Sequence, residues 1–459
     1  MPGCSKIVVG ACVMTDPRKL LVIAHGHPKY SAGGAENAAY ALHRSFLQRQ
    51  GWDSFYLAAC GDSTRFTHEE IHRLTPDPEA LFFARGAGQS PDARVSPFTT
   101  SLDLSLDGEL SRLVQELQPD VIHLHHLLHF GLAAVAALRQ WIPDVRIILT
   151  LHEFLLLCPQ GQLLKLDGEF CEGPGIQGCQ CCGWLNQRDR LLRLEAAKEL
   201  LEWVDLLISP SQTLVREFVA NGWPEKSFCV VENLLPQWIH SPSVRARASA
   251  ARALKDQNDF SLHSVFGFFG NCQQAKGLDL VLKAFAMTLR RYPHARLQVH
   301  GPVESVFTSL SNSPFSSDQD YLQRLRFWLQ QLEGFVELCG PYSQEKIIER
   351  MSGVGWVVMA SRWLENSPVV IQEARACGRP LLVPDVGGMA EKVRPGLDGW
   401  QWAFGDVFSL ANQMEFCCKQ PDEWLRLKNK ICQANLDDQV MSMHEAIYLS
   451  ENKSSSFRI

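Results

Sequence analysis

Short runs of apolar and β-branched residues alternate with stretches of helical periodicity along most of this 459-residue chain. Strands of parallel sheets read as such runs, because helices cover both faces of the sheet. The pattern therefore predicts an α/β fold with parallel sheets. The predicted strands lie near Leu20–Ala24, Ser54–Ala58, Val121–His125, Arg146–Leu151, Leu206–Ser209, Cys229–Val231, Val265–Phe269, Arg296–His300, Val336–Cys339, Trp356–Met359 and Pro380–Val383.

A polar, Ala/Arg-rich stretch at Pro236–Asp259 divides these strands into two series. The division predicts two Rossmann-like, doubly wound lobes that face each other across a cleft. A Ser-rich stretch at Val303–Asp320 predicts a surface loop before a helix that begins near Tyr321. The predicted organisation is an N-terminal lobe at 1–235, a connection at 236–262, a C-terminal lobe at 263–435, and a C-terminal helix and tail at 436–459.

Composition and charge narrow the class of protein. With 46% apolar residues, 20% charged residues and a net charge of −6, the chain is typical of soluble globular proteins. It lacks the basic stripe that a nucleic-acid partner requires. No apolar run reaches the roughly 18 residues of a membrane-spanning helix, and the N-terminus lacks the pattern of a signal peptide. We expect a cytoplasmic protein whose membrane contact, if any, is peripheral at the inner face.

The most informative stretch, Ser361–Gly399, places a carboxylate, a helix start, a second carboxylate and a Gly-Gly turn in that order. Ser367 is a favourable N-cap and Pro368 fits the first helical position, so a helix is predicted to begin here. It should end near Cys377, because a glycine and a proline follow. The amides of its first turn form an anion site.

Two glutamates of this stretch, Glu365 and Glu373, are eight positions apart. That spacing is about 12 Å along a continuous helix, which exceeds the roughly 5 to 9.5 Å of a hydrolytic carboxylate pair. We predict instead that Glu365 binds a sugar hydroxyl and Glu373 a ribose hydroxyl, with a diphosphate on the helix terminus between them. The alternative is an ordinary strand, helix and strand with two solvated glutamates.

Glycines follow the first predicted strand of each lobe. Gly33 and Gly34 open a long helix and permit close approach of a ligand to the backbone. Because GxGxxG is missing, a dinucleotide cofactor is not inferred. In the second lobe, Gly270 follows the strand and Lys276 stands at the mouth of a helix, where a bound diphosphate would explain a cation. A tight turn and a solvated lysine are the respective alternatives.

His152 lies at the carboxyl end of a predicted strand, where ligands of parallel sheets bind. It can donate a hydrogen bond or position a sugar, or it can be a structural histidine at a strand terminus. Nearby, strand alternation places His123 and His125 on one face and His126 on the other, which disfavours a metal site.

Four cysteines lie in a Gly-rich window that has little apolar periodicity. Cys158, Cys171, Cys179 and Cys182 are enough for a tetrahedral structural zinc. Reduced free thiols and a labile disulfide are the alternatives.

With these features, the chain resembles glycosyltransferase family 4, the retaining GT-B enzymes that use nucleotide sugars. The resemblance runs from GGAE at 33–36 through DVIHLHH, TLHEF and VVENLLP to the Lys276–Gly277 pair, and is most specific at Glu365 and Glu373 with seven residues between them. The Cys-rich insertion at 158–182 resembles one seen in a subset of these enzymes.

The resemblance implies a role for each matching residue. His152, Glu365 and Lys276 would be catalytic, and Gly33, Gly34 and Glu36 would lie on the acceptor side. Family members often carry Arg where this chain has Asn271, so Arg362 is expected to replace that phosphate contact. The implied donor-binding residues are Gly270, Asn271, Lys276, Arg362, Glu365, Asn366, Ser367, Pro368, Val369 and Glu373.

The implied activity is retaining transfer of a sugar from a nucleotide diphosphate sugar to a hydroxyl of a carbohydrate, lipid-linked or other acceptor. Catalysis in the family needs no metal, and cell-surface polysaccharide, glycolipid or glycoconjugate is the expected product. A catalytically silent nucleotide-sugar-binding subunit and a GT-B epimerase are the alternatives.

Overall fold

The computed structural model describes most of the chain. The described residues are 16–30, 33–60, 71–73, 81–85, 98, 100, 102–165, 168–171, 187–235, 259–311, 313, 316–343, 346–431 and 436–450. Cys179, Cys182 and most of the expected interdomain connection lie outside them. The predicted domain boundaries therefore stay predictions.

The described residues of the first lobe build one sheet. Its strands are β1 (Arg18–Ala24), β2 (Trp52–Cys60), β3 (Ile71–Arg73), β4 (Leu81–Arg85), β5 (Val121–His125), β6 (Arg146–Thr150), β7 (Leu206–Ser209) and β8 (Phe228–Val230). They lie in the order β3-β4-β2-β1-β5-β6-β7-β8, and every neighbouring pair except β3 with β4 is parallel. The helices are α1 (Gly34–Leu47), α2 (Glu109–Leu117), α3 (Gly131–Trp141), α4 (Gln187–Trp203) and α5 (Gln212–Ala220).

The second lobe contains a parallel sheet. Its strands are β9 (Val265–Phe269), β10 (Arg296–His300), β11 (Val336–Leu338), β12 (Trp356–Val358), β13 (Leu381–Pro384) and β14 (Gly399–Trp402), in the order β11-β10-β9-β12-β13-β14. The helices are α6 (Leu278–Leu289), α7 (Val303–Ser311), α8 (Ser316–Gln331), α9 (Ile347–Ser352), α10 (Val369–Ala376), α11 (Gly387–Lys392), α12 (Val407–Lys419) and α13 (Pro421–Lys430). A further helix, α14 (Leu436–Leu449), follows.

Apolar cores cover both faces of each sheet. In β1, Leu21 and Ile23 pack into one cluster, whereas Leu20 and Val22 pack into another. Successive side chains of a strand point to opposite faces, so a strand buried on both sides needs an unbroken apolar run. The prediction of parallel sheets with helices on both faces is confirmed.

The last helix, α14, packs on the first lobe rather than the second. The ring of Tyr448 lies 5.2 Å from that of Phe46 and 5.6 Å from that of Trp52. Glu445 accepts a hydrogen bond of 3.0 Å from Trp52 Nε1 and pairs with Arg49. The chain thus returns to the first lobe after completing the second.

One predicted loop is wrong. Val303–Asp320 contains α7 and the start of α8. Val303, Val306, Phe307 and Leu310 of α7 all pack on the apolar core of the second lobe. This spacing of three, four and seven residues is helical, and its burial outweighs the weak helix propensity of the serines.

No helix formed by the described residues has both the length and the apolarity needed to cross a membrane.

Candidate active site

A cleft of about 500 Å³ lies between the two lobes, at the carboxyl ends of their central strands. This volume is in the range of small-molecule sites. The predicted site residues that line it are Gly33, Gly34, Glu36, His152, Gly270, Asn271, Lys276, Glu365, Asn366, Ser367, Pro368 and Val369. Its lining does not include Arg362 or Glu373.

Lys276 and Glu365 form the polar centre of the second-lobe wall. Lys276 Nζ lies 2.8 Å from Glu365 Oε1, which also accepts a hydrogen bond from Ser361 Oγ. Gly277 has a φ of 69°, and a Cβ there would overlap the backbone oxygen of Ala360. The glycine therefore lets the lysine loop approach the end of β12 closely enough for the ion pair to form.

Helix α10 begins one residue later than predicted. Pro368 is its N-cap, with an extended ψ of 121°, and it makes no side-chain capping bond. The prediction that Ser367 caps the helix is wrong, because its Oγ donates instead to Glu232 Oε1 at 2.6 Å. Val369 and Val370 at the helix start line the cleft. First-turn amides have no acceptor within a helix, so they can face an anionic group here.

The remaining donor-side residues differ in their placement. Gly270 has a φ of 133° and donates its N–H to His300 O, and the exposed Asn271 that follows it lines the cleft. Arg362 binds the buried Asp279 at 2.7 Å. The expected replacement of the missing arginine by Arg362 is therefore not supported by its position.

Glu373 lies in α10, one turn further along than Val369 and Val370, and is half-buried. Removal of water by its neighbours raises the pKa of its carboxyl to about 7. Burial raises the pKa of the Tyr342 hydroxyl, and the nearby charge of Glu373 raises it further. Hydroxyl groups of a ligand would replace some of the hydrogen bonds to water that this carboxyl group has lost.

His152 stands on the first-lobe wall, directly after the region of β6. Its Nε2 lies 3.1 Å from His125 Nδ1, and burial lowers its pKa to about 3. His123 continues the row, with its ring 4.3 Å from that of His125 and its nitrogens bonded to Thr150 and Tyr448. His152 is therefore a neutral imidazole that His125 holds in place. The predicted shared face of His123 and His125 is confirmed.

Gly33, Gly34 and Glu36 open α1 on the same wall. A Cβ at Gly33 would overlap the carboxyl group of Glu36. A Cβ at Gly34 would lie 3.7 Å from Val369 of the opposite lobe. Gly33 therefore lets the buried glutamate fold back, and the starts of α1 and α10 lie within side-chain contact of each other across the cleft.

Three titratable residues that line the cleft have no predicted site role, namely His25, His126 and Glu153. His25 lies 3.1 Å from Glu36, and His126 lies 3.0 Å from Glu153. Burial raises the pKa of Glu153 to about 8 and lowers that of His126 to about 3. The sequence indicates these residues only by their location, since each follows a central strand at its carboxyl end.

The cysteine window is described in part. Cys158 and Cys171 lie on either side of an antiparallel bridge between Leu164 and Phe170. Burial raises the pKa of the Cys158 thiol. Cys179 and Cys182 lie outside the described residues, so the structural zinc stays a prediction.

Solved structures with the same fold cover nearly the whole chain. Anabaena HepE in complex with UDP has a TM-score of 0.60 at 18% identity, covering 94% of this chain and 100% of that one. The catalytic domain of starch synthase IV from Arabidopsis thaliana, bound to ADP and acarbose, has a TM-score of 0.62 at 15% identity, covering 95% and 99%. The two Rossmann-like lobes are those of the GT-B fold.

Curated relatives share part of their length with this chain. D-inositol 3-phosphate glycosyltransferase of Streptomyces griseus is 27% identical over 289 residues, which are 61% of this chain and 56% of the relative. N-acetyl-alpha-D-glucosaminyl L-malate synthase of Bacillus anthracis is 20% identical over 353 residues, 75% and 78%. The chain thus spans little more than half the length of the Streptomyces relative.

Two family models match different parts of the chain. Residues 32–235 match Glycosyltransferase Family 4, and residues 253–433 match Glycosyl transferases group 1. Together they span both walls of the cleft. The chain belongs to glycosyltransferase family 4.

Proposed function

We propose that this glycosyltransferase moves a sugar from a nucleotide diphosphate sugar to a hydroxyl acceptor, with retention at the anomeric carbon. The proposal depends on one observation, which is that candidate binding residues of both lobes line the same cleft. Lys276, Glu365 and the start of α10 form one wall of the cleft, while His152 and Glu36 face them from the other lobe.

On the donor side, the amides at the start of α10 and the Lys276 ammonium would bind the diphosphate. Glu365 would bind hydroxyls of the sugar and Glu373 those of the ribose. HepE was solved with UDP and with UDP-glucose, which supports a uridine nucleotide as the first donor to test.

In the transfer step, the acceptor oxygen bonds to the anomeric carbon as the bond from that carbon to the diphosphate breaks. The acceptor's proton passes to the departing phosphate oxygen on the same face, which accounts for retention. Lys276 and the helix amides stabilise the negative charge that develops on the diphosphate. The neutral His152 would contribute a hydrogen bond to the sugar.

The product and the zinc are further parts of the proposal. We place the product in cell-surface polysaccharide, glycolipid or glycoconjugate, with catalysis independent of metal. A structural zinc at the four cysteines would be seen as one equivalent in metal analysis of the purified protein. Less than a stoichiometric amount would remove the zinc from the proposal.

The first test is a thermal-shift screen of UDP, ADP and GDP and their sugars, since a ligand of the native state raises the melting temperature. A diphosphate should stabilise the wild type and the control Glu333→Gln, at an exposed position, but stabilise Glu373→Gln less. A protein that no nucleotide stabilises would contradict the proposal.

The second test identifies the products of the donor that binds best. Transfer to an acceptor, with the new bond shown by NMR to keep the donor's anomeric configuration, supports the proposal. Conversion of the donor to another nucleotide sugar without acceptor would indicate an epimerase. Binding with neither hydrolysis nor transfer would indicate a silent subunit.

A further inference from the structure

Four side chains on the first-lobe wall form what we call the acid–imidazole cluster. Its members are His25, Glu36, His126 and Glu153. His25 Nε2 lies 3.1 Å from Glu36 Oε1, and His126 Nε2 lies 3.0 Å from Glu153 Oε1. The two imidazole rings are 4.5 Å apart. Two carboxyl groups and two imidazoles thus share one surface of the cleft.

The fold brings these four residues together from separate segments. His25 follows β1, His126 follows β5 and Glu153 comes shortly after β6, and these strands are neighbours in the sheet. His126 has a φ of 106°, a backbone conformation that is costly for a residue other than glycine. A Cβ at Gly161 would overlap the carboxyl group of Glu153. Such strain and close approach are concentrated at functional sites.

The hydrogen bonds define what the cluster offers to a ligand. The N–H of Leu128 donates to His126 Nδ1 at 2.9 Å, so the neutral ring carries its proton on Nε2 and donates it to Glu153. The backbone of Leu155 also hydrogen-bonds to the Glu153 carboxyl group, and each carboxyl oxygen has a second acceptor position that a ligand hydroxyl can use. His25 Nδ1 is buried and has no hydrogen-bond partner among the described residues.

Hydroxyl groups satisfy such a surface, because each donates to a carboxyl oxygen and accepts from an acid or imidazole proton. An anionic group would instead be buried in a cleft of reduced dielectric, where a charge without a nearby cation is costly. Among the lining residues that the structure describes, Lys276 is the one lysine or arginine. It stands on the opposite wall, paired with Glu365.

We infer that the acid–imidazole cluster binds the acceptor, and that this acceptor is an uncharged sugar rather than a phosphorylated or carboxylated one. The inference rests on the proposed transferase function and names the class of its acceptor. Glu153, which His126 holds in place, binds one hydroxyl of that sugar, and Glu36 and His25 bind another.

In the test, the full-length protein is assayed with its best donor and with matched pairs of acceptors. The pairs are methyl glucoside, mannoside, galactoside and N-acetylglucosaminide with their 6-phosphates, and inositol with inositol 3-phosphate. Transfer is followed by mass spectrometry. We expect at least one neutral acceptor to react, and its phosphorylated partner to have a kcat/KM at least tenfold lower. Transfer confined to phosphorylated acceptors, or to none while the donor is hydrolysed, overturns the inference.

Variants separate acceptor binding from donor binding. Glu153→Ala should raise the acceptor KM at least tenfold and leave the donor KM within twofold, whereas Glu153→Gln, whose neutral amide mimics the protonated acid, should restore part of the affinity. Glu333→Gln is the control at an exposed position. An unchanged acceptor KM in correctly folded Glu153→Ala would refute the inference. If the wild type binds no nucleotide sugar at all, it is the proposed function that fails.

Discussion

Lys276 and Glu365 hold each other in place across two loops of the second lobe. Their Nζ and Oε1 atoms are 2.8 Å apart, with the glutamate side chain 5% exposed and the lysine 33% exposed. The ammonium also lies 5.8 Å from the ring centre of Trp363. The lysine proposed to bind the diphosphate and the glutamate proposed to bind the sugar are therefore paired with each other, so a change at either residue alters the other.

The first prediction concerns Glu365→Gln. The amide keeps the shape of the side chain but removes the charge that positions Lys276, so kcat should fall at least about 100-fold. Folding should change little, because a pair with a partly exposed lysine contributes about 1 kcal/mol or less. Transfer kinetics and thermal melting measure the two effects. Glu333→Gln is the control, and a near-normal kcat in the Glu365→Gln variant would refute the sugar-holding role.

The second prediction concerns Gly388 in the Gly-Gly turn. Its N–H donates to Glu365 O at 2.6 Å, and a Cβ there would overlap the backbone oxygen of Asn366. Gly388→Ala must therefore displace the segment that carries Glu365. We expect a loss of about 1 to 3 kcal/mol in unfolding free energy and weaker donor binding.

Gly353→Ala is the matched control for Gly388→Ala. A Cβ at Gly353 would meet Arg350 O at 3.4 Å and Gln298 Oε1 at 3.6 Å, which is ordinary contact. Melting curves and donor titrations compare the two variants. Equal behaviour would show that the Gly-Gly turn does not position Glu365.

Much of the fold could be predicted because buried parallel strands leave a strong local signal. β5, β7, β9 and β10 have the predicted ends. The missed strands are β3 and β14, which are edge strands, and β4, which lies between β3 and β2. Edge strands are buried less and need no continuous apolar run, and GWQW in β14 is a short segment without a β-branched residue.

The site could be predicted where the residue type and the strand end coincide, as at His152 and Glu365. Glu153 was missed because strand alternation would point it away from its neighbour His152. β6 ends at Thr150, so alternation no longer applies and both side chains reach the cleft. The contact of Arg362 with Asp279 spans 83 positions, and no local pattern indicates it.

The third prediction concerns a contact between the lobes. Glu391 of α11 accepts hydrogen bonds from the N–H groups of Gln212 (2.8 Å) and Thr213 (2.6 Å) at the start of α5. It therefore caps a helix of the other lobe, and a lost cap costs about 1 kcal/mol. Glu391→Ala should speed hydrogen exchange of these two amides about fivefold. Glu199→Ala, at an exposed position of α4, is the control, and unchanged exchange would contradict the capping role.

The fourth prediction is a stability maximum near pH 6.5. Burial lowers the pKa of His126 and His152 to about 3 and of His129, His300 and His444 to about 4. The unfolded chain binds protons at these histidines below pH 6.5, whereas the folded chain does not. Their contribution to stability is therefore complete above about pH 6.5 and is lost as the pH falls toward 4.

Two glutamates act in the opposite direction and produce the alkaline side of the maximum. Burial raises the pKa of Glu373 to about 7 and of Glu153 to about 8. The folded chain keeps protons that the unfolded chain has released, so this stability is present below about pH 4.5 and is lost as the pH rises through 7 and 8. Between pH 4.5 and 6.5 the five histidines outnumber the two glutamates, and above pH 6.5 the glutamates alone remain.

Melting temperatures from pH 4.5 to 8.5 measure this balance. They should rise to about pH 6.5 and then decline less steeply. His444→Gln should reduce the acid slope by about one proton, which is about 1.4 kcal/mol per pH unit, whereas His294→Gln at an exposed position should not. Glu153→Gln should flatten the decline above pH 6.5, because the neutral amide mimics the protonated acid and cannot ionise. A melting temperature that keeps rising to pH 8.5 in the wild type would show that the two glutamates are ionised in the folded protein.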